Sequence, residues 1–309
     1  MKKLLLIILL LQNISSKQCF GQDQLVNNIK ENANYKIKIA SSINPLYQII
    51  SAITGDKTDN YLVFKSNFSE HNYQLKSDDV KVLKNADLIF MIDKNYEKNL
   101  YKLISNSHPK DKILIASEIE KIKLFNLRNN QKYLDYHLWL NPQNAELIAL
   151  KLKEKLCEID QKNCNFYHKN FRKFQQQNQQ AILKINHKLE KIKAKNFIFY
   201  HDCYQYFEEY FKVTAKLIVD YDHAIDLKIT KLKKLDDVIK NNHITCLLGD
   251  INDEKNSAQK IAKNYQINFA KLDIIGLSSV VKDNEKQSNS NGYSQILTQM
   301  VKDIENCLK

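Results

Sequence analysis

The chain has 309 residues, is 43% hydrophobic and carries a formal net charge of +12. That length and apolar content suit two ordinary domains or one large one, and they exclude wholesale disorder. The charge does not mark a nucleic-acid face: the lysines are spread along the whole chain and mixed with Asp, Glu and Asn, in a composition poor in glycine and proline (Gly 5, Pro 3).

Lys2 and Lys3 precede an apolar run over 4–11 that is too short to span a bilayer, and Cys19-Phe20-Gly21 offers a small-x-small cleavage site. The expectation is a signal peptide over 1–21 and a mature, exported, soluble chain starting near Gln22. Lys17 and Gln18 stand where a lipid anchor at Cys19 would want small residues.

In chain order, the pattern then predicts a strand at 37–40, a helix opened by Pro45, a strand at 61–64, a helix at 78–85, a buried strand at 87–92 and a strand at 113–116. A polar connection, 118–136, follows. Asn141 is a predicted N-cap and Pro142 a first-turn residue for a helix over 143–156. From 164 to 193 apolar residues recur at helical spacing with no Gly or Pro, which predicts one long helix packed along its own chain; a coiled-coil dimer would want a cleaner heptad at Asn178. The strand–helix alternation restarts with strands at 197–200, 216–219, 244–248 and 267–272. Helices are predicted at 204–211, from an N-cap at Thr230 to 241, at 254–264 and at 294–307. The organisation expected is an N-terminal lobe 22–163, a linking helix 164–194 and a C-terminal lobe 195–309. The fold class is α/β, two lobes with mostly parallel sheets joined by a single long rigid helix.

Three histidines sit in defined places. His71 lies in Ser-Glu-His-Asn-Tyr after a strand, His137 in an extended segment just before a helix and the only tryptophan, and His201 at the C-terminal end of a strand. Neutral imidazoles from three distant segments can converge on one transition-metal ion; the alternative is three unrelated histidines. In open α/β sheets, ligands bind outside the carboxyl ends of the strands, where His201 and Asp273 both fall. Among the cysteines, 157 and 164 close a short loop, Cys246 ends a strand-like run and Cys307 stands near the end. Cys203 is left over, as a soft ligand or, preferably, a small buried thiol.

Four ordered stretches carry a resemblance: Ile39-Ala40-Ser41-Ser42-Ile43-Asn44-Pro45-Leu46, Ser69-Glu70-His71-Asn72-Tyr73-Gln74-Leu75, Asp135-Tyr136-His137-Leu138-Trp139-Leu140-Asn141-Pro142, and His201-Asp202-Cys203-Tyr204-Gln205-Tyr206-Phe207. From residue 36 onward the chain resembles the periplasmic zinc-binding proteins of high-affinity ABC transporters, the metal-binding cluster A-I family. The resemblance implies a metal in the interlobe cleft, held by His71 and His137 from the first lobe and His201 from the second. Glu70, Asp273 or water would be the fourth ligand. It implies a monomeric carrier that hands Zn2+ to an inner-membrane ABC permease, with no catalysis and no nucleic acid. It also implies a Cys246–Cys307 disulfide, as in zinc members with a similar C-terminal end; a local Cys157–Cys164 bridge is a second expectation. Two departures stand out. Residues 117–134 contain no histidine, unlike the His-rich loop of many zinc members, and Tyr136 replaces the usual proline.

Rival readings are a manganese carrier of the same family, which would have a carboxylate where His201 stands, a secreted zinc hydrolase with Glu70 as general base, and a secreted adhesin of the same fold. No His-Glu-x-x-His helix or nucleophile elbow is present to support the hydrolase. His108, His168, His187, His223 and His243 fall on polar or helical stretches and read as structural or solvated.

Overall fold

The computed structural model describes residues 35–65, 75–220, 229–251, 253, 256–277 and 292–309. The expected signal peptide therefore lies outside the described residues, as do Glu70 and His71.

The first sheet has the order β2-β1-β3-β4, formed by β1 (Ile37–Ser41), β2 (Thr58–Leu62), β3 (Leu88–Met91) and β4 (Ile113–Ile115). β1 runs parallel to β3, and β3 to β4. All four residues of β3, Leu-Ile-Phe-Met, are buried, the unbroken apolar run of a strand covered on both faces. Helices α1 (Asn44–Thr54), α2 (Ser77–Lys84) and α3 (Lys98–Ser105) connect these strands. β2 ends earlier than the apolar run 61–64 suggests. Val63 and Phe64 still donate backbone N–H bonds to the Ser41 and Ser42 carbonyls.

Helix α4 (Pro142–Ile159) starts as expected: the Asn141 side chain accepts from the Gln143 and Asn144 N–H groups, and Pro142 stands in the first turn. Helix α5 (Cys164–Glu190) is 27 residues long, about 40 Å of unbroken helix. Its buried residues, Tyr167, Phe174, Asn178, Ala181, Ile182, Ile185 and Leu189, form one stripe against α1, α4 and the last helix of the chain, α9 (Gly292–Cys307). Asn178, the residue that breaks the heptad, is buried because its amide donates to the Pro142 carbonyl and Glu146 Oε1, both at 3.0 Å. An apolar residue there would leave the first turn of α4 without that partner.

The second sheet, order β10-β9-β7-β8, is parallel throughout. Its strands are β7 (Phe197–His201), β8 (Ile218–Asp220), β9 (Cys246–Asp250) and β10 (Asn268–Leu272), with α6 (Gln205–Phe211), α7 (Ile229–Asn241), α8 (Ser257–Tyr265) and α9 between and after them. α7 already includes Thr230, so Thr230 is not its N-cap. α8 starts at Ser257 rather than at 254, after Asn256 in a left-handed conformation (φ 50°), and Asp253 Oδ2 accepts the Ala258 N–H. Every residue of β7 and β9 is buried.

The largest correction concerns 118–136. Within the polar connection, where no strand was expected, lies an antiparallel hairpin, β5 (Phe125–Leu127) and β6 (Asn130–Asp135). Its own residues are mostly exposed and polar, so no alternation announced it. What stabilises it comes from α6: the Phe125 N–H donates to Tyr206 Oη (3.0 Å), and Gln205 Nε2 donates to the Asn126 carbonyl (3.3 Å).

Among the described residues there are two disulfides. Cys246–Cys307 joins the first residue of β9 to the last of α9 (Cα–Cα 5.6 Å), and Cys157–Cys164 closes the α4–α5 turn (Cα–Cα 4.6 Å). The two α/β halves also meet through the turn after β10. The Trp139 indole donates to the Ile274 carbonyl (2.9 Å), and Asn44 Nδ2 donates to the Ile275 and Gly276 carbonyls (2.8 and 3.0 Å). Gly276 has φ +73°, and a Cβ there would lie 2.7 Å from Ile296 Cγ1, so no side chain fits this turn. Among the described residues no helix is long and apolar enough to cross a membrane.

Candidate metal centre

His137 follows β6 and opens the single turn Leu138–Leu140, whose three side chains are fully buried. That burial fixes the backbone from which the imidazole projects. Asp135, 2% exposed, receives two bonds from His137 on one oxygen: the backbone N–H at 3.0 Å and ring Nδ1 at 2.7 Å. A proton held on Nδ1 by the carboxylate leaves Nε2 as the lone-pair nitrogen, the arrangement a metal ligand requires. The Asp135 carbonyl in turn accepts from Tyr206 Oη at 2.7 Å. The third motif thus supports the second directly.

His201 is the last residue of β7 and is buried. Its ring lies 6.1 Å from that of His137, edge-on at 76°. The Asp202 carboxylate pairs with Arg128, whose Nη1 stands 3.2 Å from Oδ1. Burial pushes the Asp202 carboxyl up to about 6, against the opposing pull of the guanidinium. Cys203, two residues beyond His201, is wholly buried and is the free cysteine of the described chain. Burial holds its thiol well above the usual range. One ligand atom from each of His137, His201 and Cys203 lies within 4.8 Å of the others.

The structure therefore brings together His137, His201 and Cys203. Asp273 is at the end of β10, where one carboxylate oxygen caps the following turn by accepting from the Gly276 and Leu277 N–H groups (2.7 and 3.1 Å). It is not part of the three-residue cluster. His71 and Glu70 lie outside the described residues.

Sequence reasoning missed Arg128. From the hairpin tip it donates to Gln205 Oε1 (3.1 Å) and pairs with both Asp202 and Glu208 across the two halves. A signal was available: Arg128 is one of two arginines, with Arg172, in a chain of 47 basic residues. Where lysine is the default cation, an arginine marks a place that needs a planar fork.

Two α/β halves packed along one long helix, with an imidazole from each half at their seam, is the architecture of a metal-binding substrate-binding protein. The chain matches the family described as zinc-uptake complex component A, periplasmic, over residues 39–307, and it belongs to that family. Members of the family are metal-binding proteins of ABC transporters, not enzymes. A crystal structure of ZnuA superposes with a TM-score of 0.74 at 19% identity, covering 88% of this chain and 99% of that one. A Mn-bound periplasmic metal binding protein from candidatus liberibacter asiaticus gives 0.71 at 18%, covering 89% and 100%. These likenesses show the fold. Uncharacterized protein RP014 of Rickettsia prowazekii (strain Madrid E) is 28% identical over 283 residues, 88% of this chain and 84% of that protein. The manganese ABC transporter substrate-binding lipoprotein PsaA of Streptococcus mitis is 29% identical over 146 residues, 45% of this chain and 47% of PsaA. The match thus spans about half the length of the streptococcal relatives.

Proposed function

We propose that this protein captures Zn2+ in the periplasm and delivers it, as a monomer, to an inner-membrane ABC permease. The observation that carries the reading is the pair His137–His201: two imidazoles from different halves, one with its Nδ1 2.7 Å from the Asp135 carboxylate. His71 would complete a three-imidazole set, with Glu70, Asp273 or water in the fourth position. Nitrogen-rich tetrahedral sites suit zinc, whereas manganese prefers oxygen ligands and higher coordination numbers, and the Irving–Williams order favours zinc further. Ligands divided between two halves also suit a carrier, because separating the halves removes part of the coordination shell and lets the ion go. The signal peptide over 1–21, a lobe–helix–lobe division at 163/164 and 194/195, and the absence of catalysis belong to the same reading. A second reading, a manganese carrier, is favoured by the likeness to proteins named for manganese.

The deciding experiment is metal analysis of protein purified without added metal, followed by zinc–manganese competition. Zinc retained against excess manganese is the expected result; manganese retained at equimolar zinc rejects the selectivity. His71→Ala, His137→Ala and His201→Ala should each weaken zinc binding by orders of magnitude with the fold intact. Unchanged binding in any one of them removes that residue from the site.

A further inference from the structure

We propose that Cys203 is a ligand of the transported ion, giving the site one sulfur donor and a preference for borderline and soft divalent cations. The inference rests on the reading of the protein as a metal carrier. Its geometric basis is the convergence of three ligand atoms, from His137, His201 and Cys203, within 4.8 Å of one another. In a tetrahedral zinc site with Zn–N of about 2.0–2.1 Å and Zn–S of about 2.3 Å, neighbouring donor atoms stand roughly 3.5 Å apart. The three atoms thus stand at most little more than 1 Å beyond the spacing of a closed site.

The local chain explains the convergence. β7 ends at His201, and the peptide continues through Asp202, whose carboxylate faces Arg128. His201 and Cys203, two residues apart, are left facing His137. The other four cysteines of the described chain are consumed by the two disulfides, while Cys203 stays unbridged at the seam between the halves. A packing role alone would account for its burial, and it predicts no contact with the ion. Of the carboxylates expected nearby, Asp273 already commits an oxygen to its own turn. On binding, the S–H bond breaks, a metal–sulfur bond forms and the proton leaves to solvent, so the charge donated to the cation is that of a thiolate.

The test uses Co2+ as a spectroscopic stand-in for zinc on the full chain with its disulfides intact. The expected result is a sulfur-to-cobalt charge-transfer band in the near ultraviolet, lost in Cys203→Ser and Cys203→Ala while both variants still bind cobalt. Those variants should also show the zinc-over-manganese preference reduced at least tenfold. Should neither variant fold, 113Cd NMR of the wild-type protein reads the same ligand without a substitution: a resonance in the sulfur-ligated range is expected. Tight cobalt binding with no charge-transfer band, or a cadmium shift typical of nitrogen and oxygen donors alone, overturns the sulfur ligand and leaves the carrier reading standing. No binding of cobalt, cadmium or zinc by the wild-type chain overturns both.

Discussion

Asp135 shows how much one side chain can decide. It is nearly inaccessible, it takes two bonds from His137, and its carbonyl is held by Tyr206. Asp135→Asn keeps the shape and an acceptor for the backbone N–H but removes the charge that fixes the Nδ1 proton. Zinc affinity, measured by chelator competition, should fall about 10–100-fold with little change in melting temperature. Glu97 is the second case. Its carboxylate is buried beneath the end of β3 and accepts from the Ile92 and Asp93 N–H groups at 2.9–3.1 Å. Burial nevertheless pushes it up to about 7 from an ordinary 4.5. A carboxyl whose folded pKa lies above its unfolded one is protonated more in the native state, so its contribution to stability is full below about 4.5 and declines as pH rises towards 7. The ceiling on that loss is about 3 kcal/mol. Chemical denaturation at pH 5 and pH 7 should show wild type losing stability over this interval and Glu97→Gln losing less.

At the scale of elements, the β5–β6 hairpin and α9 are each held by something distant in sequence. The hairpin grips α6 through Phe125, whose ring lies 4.9 Å from that of Tyr206 at a tilt of 58°, and through Arg128 set between Asp202 and Glu208. Removing the guanidinium leaves two buried carboxylates without a counter-charge between them, Glu208 keeping only the Ala215 N–H, a situation that costs several kcal/mol when complete. Arg128 is partly exposed, so Arg128→Gln should cost roughly 2–4 kcal/mol. It should also speed zinc release, because the hairpin leads straight into Asp135 and His137; an unchanged release rate in a destabilised variant would show that the hairpin serves stability alone. Helix α9 is tied by Cys246–Cys307 across a sequence separation of 61 residues. Chain-entropy reasoning gives about 4 kcal/mol for such a loop, an upper-end value. Replacing both cysteines with alanine should therefore lower stability by about 2–4 kcal/mol, read from denaturant midpoints.

For the whole molecule, selectivity is the property at stake. His201→Glu exchanges a nitrogen for oxygen at a position built by β7, and competition binding should then shift towards manganese. The amino-acid sequence by itself determined the elements and their class. Apolar runs such as Leu88–Met91 between turn signals read as covered strands, the stripe from Tyr167 to Leu189 reads as a helix face, and Asn141-Pro142 starts a helix from local chemistry alone. It also singled out His137 and His201, because both stand where periodic structure ends and side chains meet a cleft. Short-range forces decide those features, so a linear reading reaches them. The hairpin at 125–135, the clamp of Arg128 and the approach of Cys203 to the two imidazoles were decided by tertiary structure. Each depends on groups some 65 to 80 residues away, Tyr206, Asp202 and Glu208 for the hairpin and His137 for Cys203. Spacing along the chain carries no record of such meetings, which arise only when burial of the two sheets and the long helix brings the halves into register.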